Sequence, residues 1–593
     1  MGKKSGYLQR KSSRSRNSGA GRKNGGKAVN RNKDAGFNQV PRLDITRSRF
    51  KRRQDVKLTM NAGQLIPFYV DEVLPGDTFS VDQAAIIRMT TPIFPVMDNC
   101  YMDIYYFFTP NRILWKNWKR FMGENDSGPW VQTQEYTIPQ IRIKASSSGN
   151  PLPLEGSLMD YMGIPTKVCK DANTEFEVNA LPFRAYAMIW QEWFRDQNVD
   201  NPAINSDEDA TVTYADGNDT KNIEKCLQEA YRGGRPLPVN KFHDYFTSAL
   251  PSPQKGEPVT IPITGSAPIG LYNAATGNVT TNTAKMKEIF SDVGLVATNG
   301  TYQASYWDPG DGPTANKGLA VGNTTGSVYR GVALGADLSS VNATTINQLR
   351  QAFQVQKYYE ELARGGSRYR EMIYSLFHTK ISDKTVQIPE YLGGTRITIN
   401  MSQVIQTSGT TAESPQGNTA AVSVTPYNGS MFTKSFEEHG FVIGVCCIRH
   451  DHTYQQGLER MWSRKTNLDF YYPVFANLGE QAILKKELYL TGTSTDEQAF
   501  GYQEAWAEYR MKPNRISGKF RSNATGTLDS WHYGDNYKET PSLSQAWMKE
   551  GDSEIQRTLA VENEPQFIMD TVIDNTSVRP MPMYSIPGLV DHH

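Results

Sequence analysis

The strictest limit on the fold comes from eight residues, YMDIYYFF at 101–108. As a strand this run turns Tyr101, Asp103, Tyr105 and Phe107 to one side and Met102, Ile104, Tyr106 and Phe108 to the other. Both sides are largely apolar, so the sheet that contains it must be covered on both faces, as in a sandwich. FVIGVCCI at 441–448 makes the same demand and reads as a second buried strand. A strand over Leu58–Val70, the turn at Leu74–Asp77 and the run FSVDQAAIIRM extend the β pattern. Pro92, Pro95 and Pro110 punctuate it.

Helical periods are fewer. LPFRAYAMIWQEWFRDQN at 181–198 places Phe183, Ala187, Trp190 and Phe194 on one face and turns Arg184, Gln191 and Arg195 towards another. Pro182 suits its first turn. Thr345 and Gln348 form a capping-box pattern ahead of a helix whose core candidates are Ile346, Leu349, Phe353 and Leu362. Gly365 and Gly366 stop it. A short helix, YREMIYSLF, follows, and strands are expected near Thr385–Ile388 and Arg396–Asn400, with Leu488 in another.

Charge is segregated. Met1–Lys57 holds 18 Lys/Arg and three Asp, and the whole chain holds 63 basic and 62 acidic side chains, so the arm carries +15 and the remainder −14. The arm is rich in Gly, Ser and Asn and lacks the apolar area to fold alone. Its spaced cations suit a polyanion contacted at one end of the molecule, with nucleic acid favoured over an acidic protein surface. The candidate contacts are Lys3, Lys4, Arg10, Lys11, Arg14, Arg16, Arg22, Lys23, Lys27, Arg31 and Lys33. Tyr7 and Phe37 are too few to specify a base sequence. GRKNGGK at 21–27 imitates a phosphate loop, but Ala28 follows where Ser or Thr is needed and no strand precedes it.

Between Gly256 and Asn342 only ten of 87 residues are charged, and Gly, Thr, Asn and Ala dominate. An insertion of this length without regular pattern points to a projecting surface, with Tyr302, Tyr306 and Trp307 as an apolar site at its tip or as ordinary loop anchors. The five cysteines make no pairing pattern and read as reduced core residues. Cys446 and Cys447, among Val and Ile, lack the electropositive setting of a catalytic thiolate. No apolar run is long enough to span a bilayer, and the basic N-terminus is not followed by the apolar region of a signal peptide. His450 and His452 share a strand face as a metal pair would, but no third ligand stands nearby in sequence, so hydrogen-bonded histidines at a sheet edge are expected and no metal site is assigned. No catalytic motif is present.

An ordered series of phrases is similar to the major capsid protein of gokushovirus-type microviruses, small icosahedral bacteriophages with single-stranded DNA. They are PRLDITRSRF at 41–50, LPFRAY at 181–186, EWFRDQN at 192–198, HDYFTSALPSPQKG at 243–256 and YYEELARGGSRYREMIYSLF at 358–377. PEYLGG at 389–394, TYQQGLERMWSRKT at 453–466, LGEQAILKKE at 478–487 and FGYQEAWAEYR at 500–510 follow, then GKFRS at 518–522 and RPMPMYSIPGLVDH at 579–592. The resemblance runs from about residue 41 to the C-terminus with a gap over 256–342.

It implies an eight-stranded antiparallel viral jelly roll with long inter-strand insertions containing helices. It also implies a T=1 shell of about 60 copies, closed by icosahedral symmetry around circular single-stranded DNA. Partners would be minor virion proteins and a bacterial surface receptor, with no cofactor, no membrane insertion and no enzymatic activity. Assembly in the host cytoplasm is expected. The chain divides accordingly into a DNA-contacting arm (1–40), the first part of the jelly roll with a helical insertion (41–255) and a surface insertion forming a threefold protrusion (256–342). The rest of the jelly roll (343–570) and an extended tail in a groove (571–593) complete it. The competing reading from charge alone is a cellular DNA-binding enzyme with a basic targeting arm.

Overall fold

Alternating burial organises the computed structural model, which describes residues 46–124, 135–145, 151–171, 173–215, 222–257, 259, 345–411, 415–562 and 564–584, and the backbone alone of 269–273, 278–280 and 332–336. Eight strands carry the frame: β1 (Ser48–Met60), β2 (Ile66–Val73), β3 (Thr78–Met89), β4 (Cys100–Pro110), β5 (Glu390–Thr398), β6 (Thr425–Ser435), β7 (Gly440–His450) and β8 (Phe567–Arg579). They form two four-stranded sheets in the orders β1-β8-β3-β6 and β5-β4-β7-β2. The registers that define β3, β4 and β7 against their neighbours are antiparallel. Arg49–Arg579 form one compact unit.

The first sheet follows a half-buried pattern. In β3, Phe79, Val81, Ala85, Ile87 and Met89 point inward, while Asp82, Ile86 and Arg88 face out. The second sheet is buried on both faces, as the apolar runs of β4 and β7 require. Met102, Ile104, Tyr106 and Phe108 join Val442, Cys446 and Ile448 in the core between the sheets. Phe107, with Phe441, Ile443, Val445 and Cys447, enters a second core covered by the helical insertion. Gly444 is small for a reason: a Cβ there would come within about 3 Å of the Tyr106, Phe68 and Tyr69 side chains.

The core between the sheets is crossed by a satisfied polar chain. The buried Tyr106 hydroxyl donates to Gln83 Oε1 (2.8 Å), and Gln83 Nε2 donates to Thr571 Oγ1 (2.9 Å). These three residues tie β4, β3 and β8 together, which accounts for a glutamine in an aliphatic interior.

An antiparallel hairpin, Met401–Ile405 with Thr419–Ser423, lies between β5 and β6, and the connections β4–β5 and β7–β8 hold most of the remaining structure. The first contains helix α1 (Leu181–Ile189), which continues as a π-helical turn to Phe194 and ends there, short of the expected Asn198. Phe183, Ala187 and Trp190 are buried as the period predicts. Arg184 departs from expectation. It lies in the interior, donating to the Leu114 and Glu208 carbonyls at 3.4 and 2.8 Å, and burial lowers its pKa. Helix periodicity cannot show that backbone carbonyls from a distant segment accept a guanidinium.

Helix α2 (Ile346–Gly365) begins with the Thr345–Gln348 capping box and is followed by α3 (Tyr369–Phe377). Ile346 and Phe353, expected in the core, are exposed at 69% and 64%, and Ala363 is the buried residue of α2. Other readings need revision. Leu58–Val70 is two strands, because the chain turns at Gly63 (φ +76°), where a Cβ would strike the Glu550 carbonyl. Thr385 sits in a helical turn, Asp383–Val386, capped by Ser382, and Leu488 ends another, Lys485–Leu488. At Thr385 the Ser382 cap overrides the β-branched composition. The 256–342 insertion is not wholly irregular: Ile269–Asn273, Asn278–Thr280 and Val332–Ala336 form a three-stranded antiparallel sheet. The end of the expected groove-bound tail, 585–593, lies outside the described residues.

Candidate functional surfaces and a buried histidine cluster

The proposed nucleic-acid contacts Lys3 to Lys33 and the loop aromatics Tyr302, Tyr306 and Trp307 lie outside the described residues. The end of the basic segment, residues 46–57, is described, and from Ser48 onward it lies in β1. Alternation exposes Arg49, Lys51, Arg53 and Lys57 on one side and turns Arg52 inward, where it donates to both Asp71 carboxylate oxygens (2.9 and 2.6 Å). Successive outward residues on a strand are about 6.6–6.8 Å apart, so Arg49, Lys51 and Arg53 make a regular row of charge. Asp55 lies 3.3 Å from Arg53, and Asp570 lies 3.3 Å from Lys57, so acids accompany the row at its later end.

Large apolar side chains gather on two outer regions. Along Met461–Leu478, Trp462, Leu468, Phe470, Tyr472 and Val474 are exposed, Val474 by 88%. On α2 and α3, Ile346, Phe353, Tyr358, Tyr369, Tyr374 and Phe377 are exposed. Concentrations of this kind on a folded chain mark surfaces that meet another macromolecule.

The histidines expected at a sheet edge are interior. His450 ends β7, where it pairs with Cys100 of β4, and His452 follows two residues later; the two rings are 4.2 Å apart. The loops after residue 531 bring two carboxylates to them. His452 Nδ1 is 2.8 Å from Asp535 Oδ1, and its Nε2 is 3.0 Å from Glu550 Oε2. His450 Nδ1 is 2.5 Å from Glu550 Oε1. Lys241 and Tyr537 also reach Asp535. Burial alone would lower the His452 pKa, but the Asp535 and Glu550 charges outweigh it and raise it to about 10. Burial would raise Glu550, yet His450 and His452 hold it at about 2. Sequence reasoning missed Glu550 and Asp535 because they stand 98 and 83 residues from His452, with no local pattern to announce them.

All five cysteines are buried and free of disulfides. Burial pushes the Cys447 thiol up to about 12, which leaves it a poor nucleophile. Among the described residues no helix is long and apolar enough to cross a membrane.

A family profile described as "Capsid protein (F protein)" matches residues 38–589. The chain is 40% identical to Capsid protein VP1 of Bdellovibrio phage phiMH2K, with 95% of this chain and 99% of that protein covered. It is 38% identical to Capsid protein VP1 of Chlamydia phage 1, covering 93% and 97%, and 36% identical to Capsid protein VP1 of Spiroplasma virus 4, covering 92% and 96%.

Proposed function

This chain belongs to the Capsid protein (F protein) family of gokushovirus-type microviruses, and from that premise we propose that it builds a T=1 icosahedral shell around a circular single-stranded DNA genome. Its role is structural, and its place is the virion. The observation that carries self-assembly is the exposed aromatic and aliphatic surface of Met461–Leu478 and of α2 and α3, apolar area that a solitary soluble subunit has no reason to present. The jelly-roll reading is supported by the two strand orders: each sheet alternates early and late strands of the chain, as a rolled-up antiparallel hairpin does.

The basic arm and the outward row of β1 serve the genome in this reading, because spaced cations on a flexible arm follow an irregular phosphate backbone without reading its sequence. The 256–342 insertion serves host attachment, and minor virion proteins complete the particle. The support for the insertion's role is its low charge, its aromatics and its lack of family-like phrases.

Assembly is tested by placing a charge in the exposed surface. Trp462→Asp combined with Val474→Asp is expected to leave the melting temperature of the subunit nearly unchanged, since neither side chain supports the core. It should abolish shells in electron micrographs, because buried interface anchors carry about 2 kcal/mol or more each and recur in every copy. Normal shells from this variant would remove the surface from the assembly reading. Exchange of residues 256–342 with those of a relative, or alanine at Tyr302, Tyr306 and Trp307, is expected to change adsorption to host cells while particles still form. Unchanged adsorption would argue against a receptor role.

A further inference from the structure

We propose that His450, His452 and Glu550 bind a divalent transition metal, zinc by preference, with Asp535 orienting His452 for the task. The sequence-based expectation of no metal site rested on a missing third ligand, and folding supplies it. One donor atom from each of the three residues lies within 4.8 Å of the other two, and all three residues are buried. The inference is independent of how the shell assembles.

Two observations favour a shared cation over a plain hydrogen-bond network. First, the Asp535 carboxylate lies on His452 Nδ1 and leaves Nε2 facing Glu550, so that a metal there would take the place of the proton His452 otherwise shares with Glu550. A carboxylate behind a ligating histidine is the usual support of a metal centre. Second, His450 is fully buried with Nδ1 2.5 Å from Glu550 Oε1, and its Nε2 has no hydrogen-bond partner among the described residues. A buried imidazole left unsatisfied is costly.

The geometry fits a small metal. Bonds of about 2.0–2.2 Å in a tetrahedral site hold neighbouring donors roughly 3.3–3.5 Å apart. The 2.5 and 3.0 Å separations run to the two different oxygens of Glu550 and the donor atoms lie within 4.8 Å of one another, so binding draws both the carboxylate and the imidazoles into new positions around the ion. Two imidazoles and one carboxylate suit zinc and its neighbours, whereas calcium and magnesium ask for oxygen ligands throughout. A bound ion would join the end of β7 to the segment around Glu550, whose carbonyl packs against the Gly63 turn between β1 and β2. It would act as a structural staple in the final connection.

The test is metal content of the full-length chain expressed with zinc in the medium. About one zinc per chain is expected, with the fourth position left to a water molecule by the three protein donors. Glu550→Gln and His452→Ala should lose it, and Asp535→Asn should weaken it roughly 10–100-fold in competition with a chelator. Because these variants can also fail to fold, the wild-type chain supplies a second measurement. Chelation should lower its melting temperature, zinc should restore it, and cobalt should give the visible absorption of a tetrahedral centre. A folded wild-type chain that takes up neither zinc nor cobalt overturns the proposal. So does metal that survives in folded Glu550→Gln and His452→Ala chains.

Discussion

Replacing Asp103 with alanine is expected to destabilise the subunit by about 3–5 kcal/mol, the cost of breaking a buried ion pair by removing one partner. Asp103 sits in β4 on the face covered by the insertion, and its side chain is 2% exposed. Arg396 from β5 reaches it with two hydrogen bonds of 2.6 and 3.1 Å, and Arg449 from β7 reaches it from the other side. One carboxylate therefore neutralises guanidiniums from both neighbouring strands. The Phe242 ring lies 4.3 Å from the Arg396 guanidinium and 4.2 Å from that of Arg449, so it packs against both cations as well.

Without the acid, Arg449, only 14% exposed, keeps its charge with no carboxylate to answer it, whereas the half-exposed Arg396 turns to water. Against a total stability on the order of 5–15 kcal/mol, this loss removes a large share. The measurement is the denaturant midpoint of the soluble subunit, or its soluble yield where the variant does not accumulate. Asp103→Leu with Arg449→Met should recover much of the loss, since an apolar pair of similar volume avoids the stranded charge. A midpoint shift of less than about 0.5 kcal/mol for Asp103→Ala, the size of an ordinary surface change, would show that water already reaches this cluster.

Deleting residues 1–33 is expected to have the opposite profile, with little effect on folding and a large effect on genome retention. The core lies within Arg49–Arg579, so the truncated subunit should keep its melting temperature and its capacity to form shells. The segment removed carries eleven Lys/Arg and no acid. Each cation paired with a single-strand phosphate adds about 0.7 to the slope of log affinity against log salt, so an arm that engages half of its charges loses roughly 10⁴ in affinity for each tenfold rise in salt. Many tethered arms at high effective concentration turn modest single contacts into stable packaging. Truncated shells should therefore sediment with little or no DNA, and the truncated chain should bind single-stranded DNA with a much shallower salt slope, the residue of binding reflecting β1. Shells with a full genome complement would refute the role given to the arm.

These two experiments divide along the line between what is local and what is assembled. The two-sided apolar runs at 101–108 and 441–448 were sufficient to require a sheet covered on both faces, because side-chain alternation along a strand depends only on backbone geometry. The capping box at Thr345, the reduced cysteines and the charge separation between arm and body are likewise properties of neighbours in the chain. Membership of a capsid family was legible too, through an ordered series of phrases between residue 41 and the C-terminus that leaves out the 256–342 insertion.

Periodicity told less about destination. Ile346 and Phe353 have the spacing of core residues and face outward, since an apolar stripe is the same whether its partner is the same chain or another copy. Arg184 has the look of a surface residue and is buried, because two carbonyls from other segments receive it. Asp103 and the histidines show the limit most clearly. A charged residue inside an apolar strand reveals that it needs a partner, but Arg396 and Arg449 become that partner only when β5 and β7 flank β4. Glu550 meets His450 and His452 only after the last long connection folds back on the end of β7. The amino-acid order determined which groups were present and which way each strand would turn them; the close approach of groups a hundred and more residues apart was decided by sheet order and loop packing, which no local pattern encodes.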